Sequence, residues 1–250
     1  MALVNHAKKE INAKIVYFGP AQSGKGAALA YIYSRIKPYL RGELKNVPAG
    51  ADNLMFFDFS PFETPMPNGY RLRLHIYTLT GTVTNPATWK MTLKGADGIM
   101  IMIDPVVSHP DETRESVAQL RDFLSAYGVG LHDTPAILQL NSSIRKIPQD
   151  EAVQTAAELD LSTLTTCLTG AATGEGVLEA LTTLSRQILD RVTICDEPSE
   201  AVMPSPEPSL KVALLSHEVV SEGGSIRIPL AIGDGDVVRR VVVTVNVTTE

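Results

Sequence analysis

Residues 19–26 read GPAQSGKG, and this stretch decides the fold of the chain. It follows NAKIVYF at residues 12–18, an apolar run rich in β-branched and aromatic residues that predicts a buried strand. Residues 27–36, directly after it, predict a helix. The stretch fits the pattern G-x-x-x-x-G-K in its strand–loop–helix setting, so we predict a loop whose backbone N–H groups surround phosphate oxygens while Lys25 neutralises them.

Strands and helices alternate outward from this loop. Short apolar runs predict five more strands, and apolar residues at intervals of three to four predict helices. The strands are expected at 54–59, 71–79, 98–103, 136–140 and 164–168, and the helices at 111–127, 149–158 and 177–191. A proline-rich connection at 61–68 makes the first two of these strands a hairpin. The sequence thus predicts an α/β fold with a six-stranded, mostly parallel sheet, one antiparallel edge strand and helices on both faces.

The composition changes after residue 192. Residues 193–209, TICDEPSEAVMPSPEPS, contain four prolines, four acidic residues and no Lys or Arg, which is typical of a semi-extended linker. Residues 210–250 are β-rich, and three strands are expected there, at 210–215, 225–232 and 237–247. We therefore predict a first domain over 1–192, an acidic linker over 193–209 and a small β module over 210–250.

Composition argues against several functional classes. The formal net charge is −6 and no block of Lys or Arg occurs, so nucleic-acid binding is not expected. The apolar runs of the chain, such as residues 99–103, are far shorter than the roughly 18 residues that cross a bilayer, so no membrane insertion is expected. The start of the chain lacks the features of a signal peptide, which predicts a cytoplasmic protein. Two cysteines and five scattered histidines predict neither a disulfide framework nor a zinc site.

Six sequence strings together resemble the MglA family of Ras-like bacterial GTPases. They are INAKIVYFGPAQSGK, LMFFDFSP, RLHIYTLTG, LKGADGIMIMID, LQLN and AATGEGV, they follow the order of the family, and the resemblance covers roughly residues 8–192. The resemblance implies a Ras-like P-loop fold with GTP or GDP as cofactor, Mg²⁺ beside it, and a role in cell polarity or motility. It also implies a roadblock-type protein partner similar to MglB. The resemblance implies a nucleotide site at the corresponding positions, which are Gly19, Gln22, Ser23, Gly24, Lys25, Gly26, Ala27, Gly81, Asn141 and Ala171.

The chain departs from the family pattern at the positions that serve Mg²⁺. Gly26 stands where the loop normally carries Ser or Thr, whose hydroxyl binds the metal, and Leu54 stands where the first switch carries Thr. Asp58 and Asp104 are expected near strand ends on the phosphate side. From there Asp58 would contact Mg²⁺ through water or cap the next loop, and Asp104 is more typical of a turn.

The chain also departs from the family pattern at positions that serve hydrolysis and base recognition. Asn53 replaces the family's catalytic Arg, and Thr82 replaces the Gln that orients the attacking water. Ile144 replaces the Asp that accepts hydrogen bonds from guanine, although Asn141 of the same loop is kept either as a base reader or as a turn cap.

Two functional hypotheses follow. The first is a degenerate, non-hydrolysing GTPase that acts as an interaction module in polarity, motility or signalling. The second is an active or slow GTP-dependent switch in which other side chains or a partner replace the missing groups. In either case the β module provides an alternative mode of association, because strand 237–247 of one copy would pair with a second copy.

Overall fold

The computed structural model describes residues 2–142 and 144–192 with their side chains. Beyond these it describes the backbone of residues 211–214, 220–222, 225–233 and 238–246. The chain divides into two compact units, Met1–Ile194 and Cys195–Glu250. The predicted linker at 193–209 lies outside the described residues, so its conformation stays a prediction.

The first unit is built on an eight-stranded sheet in the order β3-β4-β5-β2-β6-β7-β8, with β1 paired to β2. Its strands are β1 (Leu3–Asn5), β2 (Glu10–Phe18), β3 (Lys45–Ala49), β4 (Asp52–Phe59), β5 (Arg71–Thr80), β6 (Gly98–Ile103), β7 (Ala136–Asn141) and β8 (Thr165–Thr169). Its α-helices are α1 (Lys25–Arg35), α2 (Pro86–Leu93), α3 (Pro110–Ser125), α4 (Gln149–Glu158) and α5 (Val177–Leu189). Strands β5, β2, β6, β7 and β8 are parallel, whereas β4 runs antiparallel to β5 and β3 antiparallel to β4.

The α/β class and the six predicted strands are confirmed, but the expectation of a sheet limited to six strands is wrong. Strands β1 and β3 are additional, and the sheet contains three antiparallel pairs, β1 with β2, β3 with β4 and β4 with β5. Four of the five residues of β3 are exposed and one of them is Pro48. An exposed edge strand of this kind has no apolar alternation, so the sequence pattern did not reveal it.

Both faces of the sheet are covered. Successive residues of β2 point to opposite faces, so that Tyr17 packs with α1 and α5 while Phe18 packs with α2 and α3. Both side chains are at most 1% exposed. This double burial explains why the central strands are continuously apolar, and it fixes β2 rigidly up to the residue that precedes the phosphate loop.

The second unit is a four-stranded antiparallel sheet made of β9 (Lys211–Leu214), β10 (Val220–Glu222), β11 (Ser225–Gly233) and β12 (Val238–Asn246). Strand β11 pairs with β12 along one edge and with both β9 and β10 along the other. The prediction of three strands missed β10, which has only three residues. In the part of the chain that the structure describes, no helix has the length and apolar character needed to cross a membrane.

Candidate functional site

The phosphate loop joins the end of β2 to the start of α1. Gly24 has φ +92°, and a Cβ there would lie 2.6 Å from the side-chain nitrogen of Asn141. A Cβ at Gly19 would lie 2.0 Å from the carbonyl oxygen of Met102. Between these glycines, Gln22 also has a left-handed backbone with φ +60°. The loop is thus pressed against the ends of β6 and β7, and strain of this kind is common at ligand-binding sites.

The Lys25 side chain folds back onto the start of the phosphate loop. Its ammonium group donates hydrogen bonds to the carbonyl oxygens of Gly19 at 2.8 Å and Pro20 at 2.5 Å, and to the Ser23 hydroxyl at 3.3 Å. The Ser23 hydroxyl donates in turn to Pro20 at 3.0 Å. Because Lys25 is only 5% exposed, burial lowers its pKa to about 8. The loop therefore holds a partly desolvated cation that an anionic ligand would stabilise.

The Asn141 side chain connects the loops around the site through hydrogen bonds. Its side-chain oxygen accepts a hydrogen bond from the Ala171 N–H at 2.8 Å, and its side-chain nitrogen donates to Asp104 at 3.1 Å. Asn141, Ala171 and Asp104 are all buried. The structure thus brings together two residues that the sequence placed in the nucleotide site, and it gives Asn141 the role of holding β6, β7 and the loop after β8 in place.

A cleft of about 640 Å³ opens beside the phosphate loop. Gln22 of the loop lines one wall, Thr82 and Trp89 line a second, and the start of α3 lines a third. Gly81 follows β5 and has φ +76°, which turns the chain so that the exposed Thr82 borders this space. Thr78, three residues earlier, is buried and donates its hydroxyl hydrogen to the Tyr17 carbonyl at 2.8 Å.

Comparison of the sequence with known proteins identifies the family of this chain. No family model matches the chain. Over 190 residues the chain is 32% identical to the "Mutual gliding-motility protein MglA" of Myxococcus xanthus (strain DK1622), a match that covers 76% of this chain and 96% of the relative. The chain belongs to the MglA family of Ras-like small GTPases. Its fold and the position of the phosphate loop agree with this assignment.

In this MglA-family chain Asn53 and Leu54 face opposite sides of β4. Asn53 pairs with Thr80 and Leu54 with Leu79 in the antiparallel register. Asn53 is exposed and lies on the face of the sheet that α1 covers, whereas Leu54 is partly buried and packs against the core on the other face. Asn53 thus lies on the same side of the sheet as the start of α1, and Leu54 contributes to packing.

Asp58 lies far from the phosphate loop. It pairs with His75 of β5, and His75 pairs with Lys14 of β2, four residues before the end of that strand. The Asp58 carboxylate forms an ion pair with Arg73. The expectation that Asp58 lies on the phosphate side is therefore wrong, because β4 runs antiparallel and its carboxyl end points away from the loop. Within 2–142 and 144–192, no group of three or more His, Cys, Asp or Glu is arranged to hold a metal ion.

Asp52 is a buried carboxylate beside Thr84 that the sequence analysis did not single out. It is 3% exposed, and one of its oxygens accepts hydrogen bonds from the Thr84 N–H at 2.7 Å and the Thr84 hydroxyl at 3.0 Å. These bonds, the backbone bond first, lower the pKa of Asp52 below its usual value of 3.8. Asp52 thus ties β4 to the segment that follows Thr82. The acidic residue at the first position of the strand DNLMFFDF was the available signal.

We expect Asp52→Ala to lower the melting temperature by roughly 5 °C at pH 7, because the Thr84 N–H loses its acceptor. The folded-state pKa of Asp52 is depressed, so its stabilisation is complete above the unfolded pKa of about 3.8 and declines as the pH falls below it. The difference between wild type and variant, followed by circular dichroism, should therefore shrink at pH 3. Asp122→Ala, at an exposed position of α3, is the control and should change the melting temperature little. An equal effect of both substitutions would contradict the role of Asp52.

Proposed function

We propose that this MglA-family chain is a nucleotide-binding interaction module with weak or no GTP hydrolysis, acting in bacterial cell polarity, motility or signalling. One observation carries the proposal. The phosphate loop is intact around the buried Lys25, whereas Asn53 and Thr82 stand at the positions that serve hydrolysis. The M. xanthus relative is named as a gliding-motility protein, which supports the assignment to motility.

Retention of phosphate binding is supported by the construction of the loop. Gly19 and Gly24 pack against β6 and β7 so closely that another residue at either position would force the neighbouring atoms to move. Backbone strain and the desolvated cation lower the stability of the free protein. A bound phosphate would offset this loss by pairing with Lys25.

Loss of hydrolysis is supported by the chemistry of two exposed side chains. The Asn53 amide carries no charge and cannot neutralise the transferring phosphoryl group. The Thr82 side chain is two atoms shorter than that of Gln, so it does not place an amide beside the attacking water. Guanine selection should also be weak, because Ile144 is 73% exposed and offers no acceptor to the base.

A second candidate function is a slow GTP-dependent switch that a partner completes. The cleft of about 640 Å³ beside Thr82 favours it, since that cleft leaves room next to the phosphate loop for a side chain supplied from outside. A roadblock-type protein similar to MglB is the partner we propose, in the cytoplasm, with GTP or GDP as the ligand.

Self-association through the β module is a further proposal about partners. Strand β12 pairs with β11 along one edge, and no described strand pairs with its other edge. A second copy would cover that edge. Light scattering on the full chain tests this proposal, because a mass of 27.0 kDa, that of a single chain, would contradict it.

Calorimetric titration of the full chain with GDP, GTP and ATP in the presence of Mg²⁺, paired with a phosphate-release assay, tests the proposed function. We expect GDP and ATP to bind within about tenfold of each other, with no measurable turnover of GTP. Tight, guanine-selective binding with turnover would contradict the module and favour the switch. Failure of every nucleotide to bind would contradict both.

A further inference from the structure

One face of the second unit is apolar. In an antiparallel sheet, residues that are paired across strands lie on the same face, and successive residues of one strand alternate between the two faces. Every second residue of β11 from Ile226 to Ile232 is Ile or Leu, and three of their four partners on β12 are valines. Strand β9 adds Val212 and Leu214. Nine aliphatic residues therefore share one face, which we call the apolar face.

The opposite face of the same sheet is more polar. Arg227 and Thr244 are partners on that face, and the register also places Arg240 and Lys211 there. Such alternation of apolar and polar positions is typical of a sheet that buries one face and leaves the other in water. The register thus indicates that the apolar face is a packing surface.

The second unit supplies a single layer. Within the residues of this unit that the structure describes, the elements are the four strands of one sheet. A stable domain requires at least two packed layers, because a lone sheet leaves its apolar area in water. The apolar face therefore requires a second layer.

The same face of a second copy matches this requirement in shape. The first unit covers both faces of its own sheet with helices, and the large apolar side chains that it exposes are spread over separate elements, such as Leu3 on β1, Met91 on α2 and Val153 on α4. A second copy offers an apolar sheet with the same strand lengths and the same twist. Two such sheets pack face to face about 10 Å apart.

The size of the apolar face also fits a dimer. Fully burying one aliphatic side chain removes about 60 Å² or more of apolar area from water. Nine such residues from each of two copies would therefore bury roughly 1,000 Å², the lower bound for a specific interface. The polar residues Ser221 and Arg239 of this face are paired with Ile226 and Ile232, at opposite ends of the face. Polar residues at the ends of an apolar patch are typical of an interface rim.

We propose that the apolar faces of two copies of this chain pack against each other about a two-fold axis and form a β-sandwich. This packing uses a face of the sheet, whereas the self-association proposed above uses the free edge of β12. It goes beyond the proposed nucleotide-binding function and does not depend on it.

Light scattering on the full chain tests the inference with two neighbouring valines of β12. Wild type should have twice the 27.0 kDa mass of a single chain. Val243 lies on the apolar face, so Val243→Glu should reduce the mass to that of one chain. Val242 is its neighbour on the opposite face, so the matched control Val242→Glu should keep the mass of wild type. Pairing through the edge of β12 would not distinguish the two positions.

A milder pair of variants keeps the test decisive if Val243→Glu unfolds the module, which circular dichroism detects. Threonine has the shape of valine and a high preference for strands, so Val243→Thr should remain folded. Because each copy then buries a hydroxyl group, the dissociation constant of the dimer should rise about tenfold or more, as measured by sedimentation over a dilution series. Val242→Thr should match wild type.

Four outcomes would overturn the inference. A single-chain mass of wild type would mean that the apolar face is covered without a second copy, and it would also exclude the edge pairing. An unchanged dimer in a folded Val243→Glu variant would leave edge pairing as the mode of association. Equal losses in Val243→Glu and Val242→Glu would show that the apolar face has no special role, and so would equal dissociation constants of Val243→Thr and wild type. The nucleotide titrations stand apart from all four, so the proposed function succeeds or fails separately.

Discussion

Replacing Lys25 with methionine is expected to weaken the binding of GDP and ADP by roughly 100-fold. The ammonium group is the cation at the centre of the phosphate loop, and two charge-assisted hydrogen bonds to phosphate are together worth about 3 kcal/mol. Methionine keeps a similar volume and removes only the charge and the donors. Titration calorimetry gives the affinities, and circular dichroism shows whether the variant is folded.

The pH dependence of binding gives a sharper form of this prediction. Burial lowers the pKa of Lys25 to about 8 in the free protein, and a bound phosphate favours the protonated amine. The complex therefore holds more protons than the free protein above pH 8, so the affinity of wild type should fall as the pH rises from 8 to 10. ADP is the suitable ligand, because adenine does not lose a proton in this range. Lys25→Met should show no such decline.

Lys8→Met is the matched control for both measurements. Lys8 is exposed and precedes β2, at the opposite end of that strand from the phosphate loop. Its substitution therefore also removes one positive charge, but far from the loop. We expect its affinity and pH profile to match those of wild type. Nucleotide binding by Lys25→Met within about threefold of wild type would mean that the loop does not use this cation for phosphate.

The double substitution Asn53→Arg and Thr82→Gln is expected to raise the rate of GTP hydrolysis by at least about 100-fold at saturating GTP. An arginine that stabilises the transferring phosphoryl group is worth about 10³–10⁵ in rate, and the glutamine orients the attacking water. Asn53 is exposed on the side of the sheet where α1 begins, and Thr82 borders the phosphate loop, so longer side chains have room at both positions. Single-turnover phosphate release measures the gain.

Asn46→Arg combined with Thr82→Gln is the control for added charge. Asn46 is exposed on β3 and pairs with Met55 rather than with a residue of the site. This variant should gain far less than the double variant with Asn53→Arg. An unchanged rate in the Asn53→Arg and Thr82→Gln variant, with nucleotide still bound, would show that these two positions do not limit hydrolysis.

The central elements of the fold follow from local patterns in the sequence. The loop at 19–26, the six main strands and the helices each depend on residues that are close together along the chain, and the structure contains all of them. The sequence patterns were weakest for three peripheral strands. Strands β1, β3 and β10 are short, and β3 is largely exposed, so their formation depends on pairing with a neighbour rather than on their own apolar residues.

The tertiary structure decided which side chains meet at the site. Asp58 was expected at the phosphate side and lies away from it, because only the antiparallel pairing of β4 with β5 shows which end of the strand faces the loop. Asn141 contacts Ala171 and Asp104, which are 30 and 37 residues away along the chain. Asp52 reaches Thr84 across 32 residues.

By itself, the sequence of this protein determined an α/β domain with a phosphate loop, and it predicted that residues of the family's hydrolysis site are replaced. Strand direction, sheet order and register then placed Asn53 and Thr80 on the face of the sheet that α1 covers and packed Leu54 against the core on the opposite face. The physical reason is that secondary structure depends on backbone preferences and apolar periodicity over a few residues. A binding site instead requires several distant segments to be paired in one specific register.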